Sequence, residues 1–376
     1  MQAMIKSAEA CFEQMRRVRR ALHQKPEMGG KEFHTSDLIE RTLREMGLQT
    51  IRPLPTAVIG ILGEGEKTVA LRADIDALPI TEKTDLPYAS EIPGVMHACG
   101  HDMHTSALLG AAQILRQHPP RGRVLFLFEP DEEGRGGAKA MNEFLKDERI
   151  DAVFGCHVDP ALPTGKIGIR YGAFYAASFP FSVTVFGKSA HAAEPKDGVD
   201  ALGAAAEMMT ALAQYPTDKG VLSVCTCTAG NAENVIADRA KFGGIIRTHG
   251  AAAGTQMCDF FRSTLEQIAA ARGVKIEINL THGYPGVVND DACTAFVERT
   301  AAALWGAAQV TRLEKPTMKT EDFGFFIDKR PGCYYHIGVG PTAPLHSGDF
   351  CPDERALIPM AATEAAIADQ FLKQQE

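Results

Sequence analysis

Eight consecutive residues, 97–104, contain three histidines, one cysteine and one aspartate in the order HACGHDMH. Imidazole nitrogens and thiolate sulfurs are common zinc ligands in proteins. A disulfide, a structural metal finger or a metal-dependent hydrolase could each require such residues. The paired C-x-x-C segments of a zinc finger are missing from the sequence, and its nine cysteines are odd in number and scattered. The segment therefore favours a metal site with a chemical role.

Further metal-capable side chains follow the apolar segments that we expect to form strands. Two aspartates come at the end of TVALRADID, two glutamates follow FLFEPD, one histidine follows DAVFGC, and another lies in LHSGDF after GCYYHIGVG. In open α/β sheets, ligands bind beyond the carboxyl ends of the strands. The side chains that we expect to meet Cys99 and His101 there are Asp74, Asp76, Glu132, Glu133, His157 and His346.

This supply of donors exceeds the four ligands that one structural zinc ion needs. Two ions about 3.5–4 Å apart use more ligands, share a bridging atom and leave a position for water. The sequence therefore predicts two divalent ions per subunit. Nitrogen, sulfur and oxygen donors together suit Zn²⁺ or Mn²⁺, with Co²⁺ and Ni²⁺ as alternatives.

The adjacent glutamates allow a division of labour, because neighbouring side chains point in different directions. One carboxylate can bind metal while the other acts as general base toward a bound water and then as acid toward the leaving amine. The alternative interpretation is a solvated turn, since Glu132 and Glu133 precede a glycine. His97 and His104 resemble groups that orient the ligands more than ligands themselves.

Composition limits the class of protein. The chain has 376 residues, of which 45% are hydrophobic and 23% charged, and its net charge is −8. An acidic chain without a basic face argues against nucleic acid or an anionic membrane as partner. No apolar run is long enough for a transmembrane helix, and the amino terminus has no signal-peptide pattern. These features, with the scattered cysteines, predict a cytoplasmic protein.

Apolar strands alternate with helices in the first half of the chain, which predicts an α/β layer with a mostly parallel central sheet. One of these helices, at 35–46, has Thr35 or Ser36 as its expected cap. From about residue 178 the order changes to β-α-β-β-α-β, the pattern of a ferredoxin-like module. We expect this module to occupy 176–286 as an insertion, and 1–175 with 287–376 to form the metal-binding catalytic domain.

The motifs fall in the order of a known family. They are LRADIDALPI, MHACGHDMHTSALLGAA, EPDEEGRGGAKAM, GCHVDP, GKSAHAAEP, NVI, IIRT, TEDF and LHSGDF. The chain resembles the M20 metallopeptidases, in the amidohydrolase branch of N-acyl-amino-acid, hippurate and auxin-conjugate hydrolases. This resemblance implies a zinc-exopeptidase-like catalytic domain with an inserted lid that dimerises, and therefore a homodimer.

The resemblance also implies roles for single residues. The implied metal ligands are Cys99, as the bridging group, His101, Glu133, His157 and His346. Glu132 would be the general base, and Asp76 would orient a ligand histidine. In the lid, His191 would polarise the scissile carbonyl, while Asn234 and Arg247 would hold the substrate. The alternatives are a turn-closing role for His191, a turn at Asn234 and a surface position for Arg247.

Three residues depart from the pattern that the resemblance implies. Glu129 and Asp131 stand where glutamine and alanine are usual, and Cys156 replaces an aliphatic residue. Four carboxylates in five positions would raise pKa values by like-charge repulsion. We expect the acidic limb of the activity profile to lie higher than in a Glu129→Gln, Asp131→Ala double variant. For Cys156 we expect packing rather than a role as an extra soft ligand.

The predicted function is metal-dependent hydrolysis of the amide bond of N-acyl amino acids, which makes such a small molecule the expected partner. A dipeptidase or carboxypeptidase with the same machinery is the first alternative. A non-catalytic, metal-containing binding protein is the second, although the intact glutamate pair speaks against it.

Overall fold

The computed structural model describes residues 1–216 and 220–374, which divide into two compact units. The first unit comprises Met1–Gly172, Val288–Lys315 and Asp322–Glu376. The second comprises Ala173–Val287 and Pro316–Glu321. It thus contains the segment 176–286 that the sequence predicts as one domain, together with a few flanking residues and one later segment.

An eight-stranded sheet forms the centre of the first unit. Its strands, numbered in chain order across both units, are β1 (Gln49–Ile51), β2 (Val58–Leu62), β3 (Thr68–Asp74), β4 (Arg123–Glu129), β5 (Ala152–Pro163), β6 (Ile167–Ile169), β13 (Val310–Arg312) and β14 (Gly332–Gly340). Their spatial order is β1-β2-β4-β3-β5-β14-β6-β13. The four central strands run parallel, which confirms the predicted fold class. All seven residues of β3 are buried, as expected for a strand covered on both faces.

Helices cover this sheet. They are α1 (Gln2–Gln24), α2 (Phe33–Glu45), α3 (His101–Gln117), α4 (Gly137–Phe144), α7 (Asp291–Trp305), α8 (Gly324–Ile327) and α9 (Leu357–Lys373). In α1, Met4, Ala8, Cys11 and Met15 recur at helical spacing and are buried. Helix α3 packs against both α1 and α9 and buries nearly all of its length. No helix among the described residues is long and apolar enough to cross a bilayer.

The amino terminus of α2 corrects one detail of the sequence prediction. The helix begins at Phe33, and neither Thr35 nor Ser36 caps it. Instead, the carboxylate of Glu27 accepts hydrogen bonds from the backbone N–H groups of His34 (3.1 Å) and Thr35 (2.8 Å). A glutamate from outside the helix therefore satisfies the donors that a local hydroxyl usually satisfies.

The second unit is built on a four-stranded antiparallel sheet. Its elements are β8 (Ala177–Phe186), α5 (Ala201–Leu212), β9 (Val221–Ala229), β10 (Arg239–Thr248), α6 (Ala251–Arg272) and β11 (Lys275–Leu280), with the spatial strand order β11-β8-β10-β9. The β-α-β-β-α-β order agrees with the sequence prediction. A two-stranded sheet of β7 (Gly172–Tyr175) and β12 (Val287–Asn289) lies where the chain passes between the units.

Candidate metal centre

The carboxyl ends of four parallel strands meet at one edge of the first unit's sheet. Asp74 ends β3 and Glu129 ends β4, and the two residues are paired in the ladder. His157 lies within β5, and β14 leads into the segment that carries His346. The parallel order thus brings side chains that are far apart in sequence to one edge.

A tight turn at Gly100 places Cys99 and His101 at the start of α3. Gly100 has a φ of 83°, in the left-handed region. A Cβ atom at this position would lie 2.6 Å from Cγ2 of Val158, next to His157. Glycine meets both requirements without strain, which explains its place between the two metal-capable residues.

Of the groups of three side chains among the described residues whose ligand atoms lie within 4.8 Å of one another, two contain Cys99. The first group is Cys99, His101 and His157, and the second is Cys99, Glu133 and His346. Cys99 Sγ lies 3.4 Å from His157 Nε2, and His346 Nε2 lies 2.9 Å from Glu133 Oε1. The structure therefore brings together all five residues that the sequence analysis expected to bind metal.

These residues fit divalent metal ions. The Nε2 atom of His101 is buried and makes no hydrogen bond within the described chain. Its ion-pair partner, Asp74 Oδ2, is 3.6 Å away. An unsatisfied buried polar atom costs about 1–3 kcal/mol, and a bound ion would remove that cost. Thiolate, imidazole and carboxylate donors in one cluster are a set that Zn²⁺ or a neighbouring transition ion accepts.

Asp76 orients His101 and also holds Glu133. Its Oδ1 atom lies 3.0 Å from His101 Nδ1, and its Oδ2 atom accepts the backbone N–H of Glu133 at 3.1 Å. A proton on His101 Nδ1, donated to this carboxylate, leaves Nε2 with a lone pair for a metal. One aspartate thus links the two groups of donors.

The remaining histidines of the 97–104 segment behave differently from each other. The Nδ1 atom of His104 bonds Asp74 Oδ1 at 2.5 Å, and its Nε2 accepts the backbone N–H of Val158 at 3.0 Å. With both nitrogens engaged, His104 supports the strand beside His157. His97 differs from His104, because neither of its ring nitrogens has a hydrogen-bond partner among the described residues. Burial lowers the pKa of His97 to about 3, and the expectation that His97 orients a ligand stays a prediction.

The titration of two candidate ligands follows from their burial. Burial, reinforced by the neighbouring ring of His104, lowers the pKa of His157, which keeps the imidazole neutral as metal binding requires. Burial raises the pKa of the Cys99 thiol, against an opposing effect of His101. In the absence of metal Cys99 is thus a neutral thiol, and metal binding releases its proton.

Three predicted substrate-facing residues belong to the second unit. His191 pairs with Val235 in a β-bridge, and the backbone N–H of Ala192 donates to the carbonyl of Asn234 at 3.0 Å. His191 and Asn234 are therefore on adjacent, exposed segments of this unit. On β10, Arg247 Nη1 donates to the carbonyl oxygen of Met318 at 2.8 Å. Its Nε atom is buried and finds no acceptor in the part of the chain that is described.

Comparison with known proteins decides the family. Residues 70–370 match the family described as peptidase family M20/M25/M40. The chain belongs to this family. The resemblance drawn from the sequence motifs is thereby confirmed, and with it the prediction of a hydrolytic, metal-dependent enzyme.

Three relatives of this M20 chain bear on its chemistry. It is 39% identical to the N-acetyl-L-cysteine deacetylase of Bacillus subtilis, over 91% of the chain and 84% of the relative. It is 34% identical to thermostable carboxypeptidase 1 of Saccharolobus solfataricus, over 94% of both. A solved structure from Bacillus subtilis, described as a dinuclear metal-binding peptidase of the M20 family, superposes with a TM-score of 0.88. The two sequences are 32% identical, and the match covers 98% of this chain and 100% of the solved chain.

Sequence reasoning missed a buried arginine beneath the M20 site. Arg72 lies in β3, and its side chain is completely buried. It donates to Asp74 Oδ2 (2.7 Å), Glu129 Oε2 (2.7 Å) and Asp322 Oδ1 (3.0 Å). The one indication in the sequence is a charged residue within an apolar strand. The spacing of residues along the chain does not identify its distant partner, Asp322.

The structure shows what surrounds the three residues that depart from the family pattern. Glu129 binds Arg72, and Asp131, at a φ of 61°, packs its carboxylate against Gly29 and Gly134. Burial, with a contribution from Asp76, raises the pKa of Asp131, and the expected rise of the acidic limb stays a prediction. The Cys156 thiol donates to Glu364 Oε1 at 3.4 Å, on the sheet face that packs against α9. This contact is polar, whereas simple packing was expected. Cys156 belongs to neither of the two donor groups that contain Cys99.

Proposed function

We propose that this M20 enzyme hydrolyses the amide bond of N-acyl amino acids with two divalent metal ions, releasing the acyl carboxylate and the free amino acid. The observation that carries the proposal is the pair of three-donor groups that share Cys99. Cys99, which belongs to both groups, would be the ligand that the two ions have in common. We propose Zn²⁺ or Mn²⁺, with Co²⁺ and Ni²⁺ as alternatives.

The proposed holders of the ions are Cys99, His101, Glu133, His157 and His346. Ions bound there would lower the pKa of a bound water and polarise the carbonyl oxygen of the substrate. Asp76 would keep His101 in the tautomer that presents Nε2, through its hydrogen bond to Nδ1.

Glu132 is the proposed general base. A ligand atom of its carboxylate lies within 4.8 Å of those of His101 and Glu133, and its side chain is buried. A carboxylate beside the donors can take the proton of the attacking water and pass it to the departing amine nitrogen. Its neighbour Glu133 is left to bind metal, which accounts for the adjacent pair.

His191 is proposed to stabilise the negative charge that develops on the carbonyl oxygen. Its Nδ1 accepts the backbone N–H of Ala193 at 3.1 Å. A neutral imidazole that accepts at Nδ1 carries its proton on Nε2, which is then a hydrogen-bond donor for an oxyanion.

Arg247 and Asn234 are proposed to bind the substrate. The Nε donor of Arg247 is buried without a partner among the described residues, while Met318 anchors Nη1. A planar guanidinium held in this way suits the α-carboxylate of an amino acid, because it binds carboxylates through two parallel hydrogen bonds. The exposed amide of Asn234, on the segment beside His191, would donate a further hydrogen bond.

A carboxypeptidase activity is the second candidate, because the Saccharolobus carboxypeptidase is related over nearly the whole chain. Both reactions need the same metal centre and the same base. They differ in what lies on the acyl side of the amide bond, an acyl group or a peptide.

The deciding experiment offers N-acetyl, N-benzoyl and dipeptide substrates side by side to protein reconstituted with Zn²⁺ or Mn²⁺. We expect N-acyl amino acids to be hydrolysed with the higher kcat/KM, and Glu132→Gln to bind metal normally with at least ~10³-fold lower turnover. Glu143→Gln, on the exposed face of α4, is the matched control and should be fully active. Preferred cleavage of dipeptides would favour the peptidase, and metal-loaded protein without hydrolysis would contradict both candidates.

Two further properties belong to the proposal. We propose a homodimer formed through the second unit, which mass measurement in solution would test. We also propose a cytoplasmic location, because all nine cysteines are unpaired, as in a reducing compartment.

A further inference from the structure

The turn that carries Glu132 and Glu133 begins with an unusual backbone conformation. Asp131, the residue before Glu132, has a φ of 61°, in the left-handed region that residues other than glycine seldom adopt. Within the described chain, His346 is the one other non-glycine residue with a positive φ, at 62°. Such a conformation persists where the surrounding structure holds it in place. The contacts of Asp131 therefore bear on where the two glutamates lie.

Glu32 holds the backbone of Asp131. It lies in the α1–α2 connection, which we define as residues 25–32, and its side chain is fully buried. Its Oε1 atom accepts the backbone N–H of Asp131 at 2.8 Å. The two residues are 99 positions apart in the sequence, so this hydrogen bond joins the connection to the turn at the end of β4.

Gly29, in the same connection, receives the side chain of Asp131. A Cβ atom at Gly29 would overlap the Oδ1 atom of this aspartate, and a Cβ atom at Gly134 would overlap the same oxygen. Glycine permits this close approach because it has no side chain. The α1–α2 connection thus holds Asp131 twice, by its backbone through Glu32 and by its carboxylate through Gly29.

The α1–α2 connection also supports the strand end that carries Asp76. The backbone N–H of Ala77 donates to the carbonyl oxygen of Glu27 at 2.8 Å. Asp76 in turn accepts the backbone N–H of Glu133 at Oδ2, at 3.1 Å. One short connection therefore contacts both segments on which the position of Glu133 depends.

We propose that the α1–α2 connection, through Glu32 and Gly29, sets the position of the turn that begins at Asp131, and that Glu32 is a positioning residue for Glu132 and Glu133. What Glu32 supplies is a hydrogen-bond acceptor at the place of Oε1, rather than a charge. A displaced turn would move the base away from the attacking water, and small displacements of reacting groups are costly. The inference rests on the proposed function, because it concerns the proposed base and a proposed ligand.

Two substitutions of Glu32 separate position from charge. Glu32→Gln keeps the length of the side chain and an acceptor oxygen, so kcat should stay within about threefold of the original. Glu32→Asp keeps the charge but is one methylene shorter, which withdraws the acceptor from the N–H of Asp131. Its kcat should fall at least ~10-fold with little change in KM.

Asp151→Ala is the matched control. The Oδ2 atom of Asp151 accepts the backbone N–H of Thr68 at 2.7 Å, at the start of β3 and therefore at the end of this strand that is remote from the metal centre. Its removal deletes a carboxylate-to-backbone hydrogen bond of the same kind. We expect Asp151→Ala to keep the original kcat.

The affinity for Zn²⁺, measured by chelator competition, tests the proposal without turnover. Of the two donor groups that contain Cys99, Glu133 belongs to one, so Glu32→Asp should weaken one of the two ions by about 10-fold. Glu32→Gln and Asp151→Ala should bind both ions as the original does. Gly29→Ala displaces the same turn without changing Glu32, and it should weaken the same ion even if Glu32→Asp does not fold.

The outcomes distinguish this inference from the proposed function. If the original protein hydrolyses no substrate, the proposed function fails while the Zn²⁺ affinities still test the role of Glu32. Original affinity for both ions in Glu32→Asp or in Gly29→Ala would overturn the proposal. Equal losses in Glu32→Gln and Glu32→Asp would also overturn it, because the charge or the bulk of the glutamate would then matter rather than the position of its acceptor.

Discussion

A buried glutamate on α9 should make the protein less stable as the pH rises through neutrality. Glu364 accepts from the Cys156 thiol at Oε1, while its Oε2 atom is buried without a partner in the described chain. Burial raises its pKa from the ordinary 4.5 to about 8. The folded protein therefore holds a proton that the unfolded chain releases above pH 4.5.

The size of the effect follows from this difference. The pKa of Glu364 is higher in the folded protein than in the unfolded chain. The contribution of protonated Glu364 to stability is therefore complete below about pH 4.5 and is lost as the pH rises to about 8. Each pH unit within that window lowers the free energy of unfolding by ~1.4 kcal/mol. The total loss is about 3 kcal/mol at pH 7 and about 5 kcal/mol above pH 8. Glu364→Gln keeps a neutral, hydrogen-bonding side chain without binding a proton. It should therefore raise the free energy of unfolding by these amounts.

The single tryptophan is a local probe for the assay. Trp305 Nε1 donates to Thr363 Oγ1 at 2.9 Å, beside Glu364. Urea unfolding followed by its fluorescence, at pH 5, 7 and 9, should show a gain in Glu364→Gln that is small at pH 5 and grows with pH. Glu143→Gln, on the exposed face of α4, should show no such trend. A pH-independent difference, or a loss of stability at pH 9, would refute the reasoning.

Three further predictions concern the site. His346→Ala should fold normally and lose about half of the bound metal by elemental analysis, because His346 belongs to only one of the two donor groups; loss of all metal would count against two separable ions. Asp76→Asn should weaken metal affinity by about 10–100-fold in chelator competition, since asparagine keeps one acceptor oxygen where Asp76 uses two, one for His101 and one for the Glu133 N–H; unchanged affinity would contradict this role. Arg247→Lys should raise KM for N-acyl amino acids by at least ~10-fold with little change in kcat, and an unaltered KM would remove Arg247 from substrate binding.

Much of the architecture could be predicted because it depends on local pattern. Apolar strands alternating with helices indicate a parallel sheet, and a parallel sheet places strand ends at one edge. Asp76, Glu133 and His157 could therefore be grouped although they are far apart in sequence. The order β-α-β-β-α-β likewise predicted the ferredoxin-like module of the second unit.

The parts that escaped prediction depend on partners that no local pattern identifies. Arg72 bonds Asp322, 250 positions later in the chain. Glu27 caps α2 from outside the helix, so the hydroxyls at its start were misleading. His97 lies in the same motif as the proposed ligands Cys99 and His101, yet it makes no hydrogen bond within the described structure. Residue type and spacing indicated which groups were available, whereas their pairing was decided by tertiary packing.

The central claim is that side chains from four strand ends hold two ions that share Cys99. Anomalous diffraction from crystals of the Zn²⁺- or Mn²⁺-reconstituted protein tests it most directly. The account predicts two peaks per chain, one beside His101 and His157 and the other beside Glu133 and His346, with Cys99 Sγ bound to both. A single peak, or two peaks with the thiol bound to neither, would contradict it.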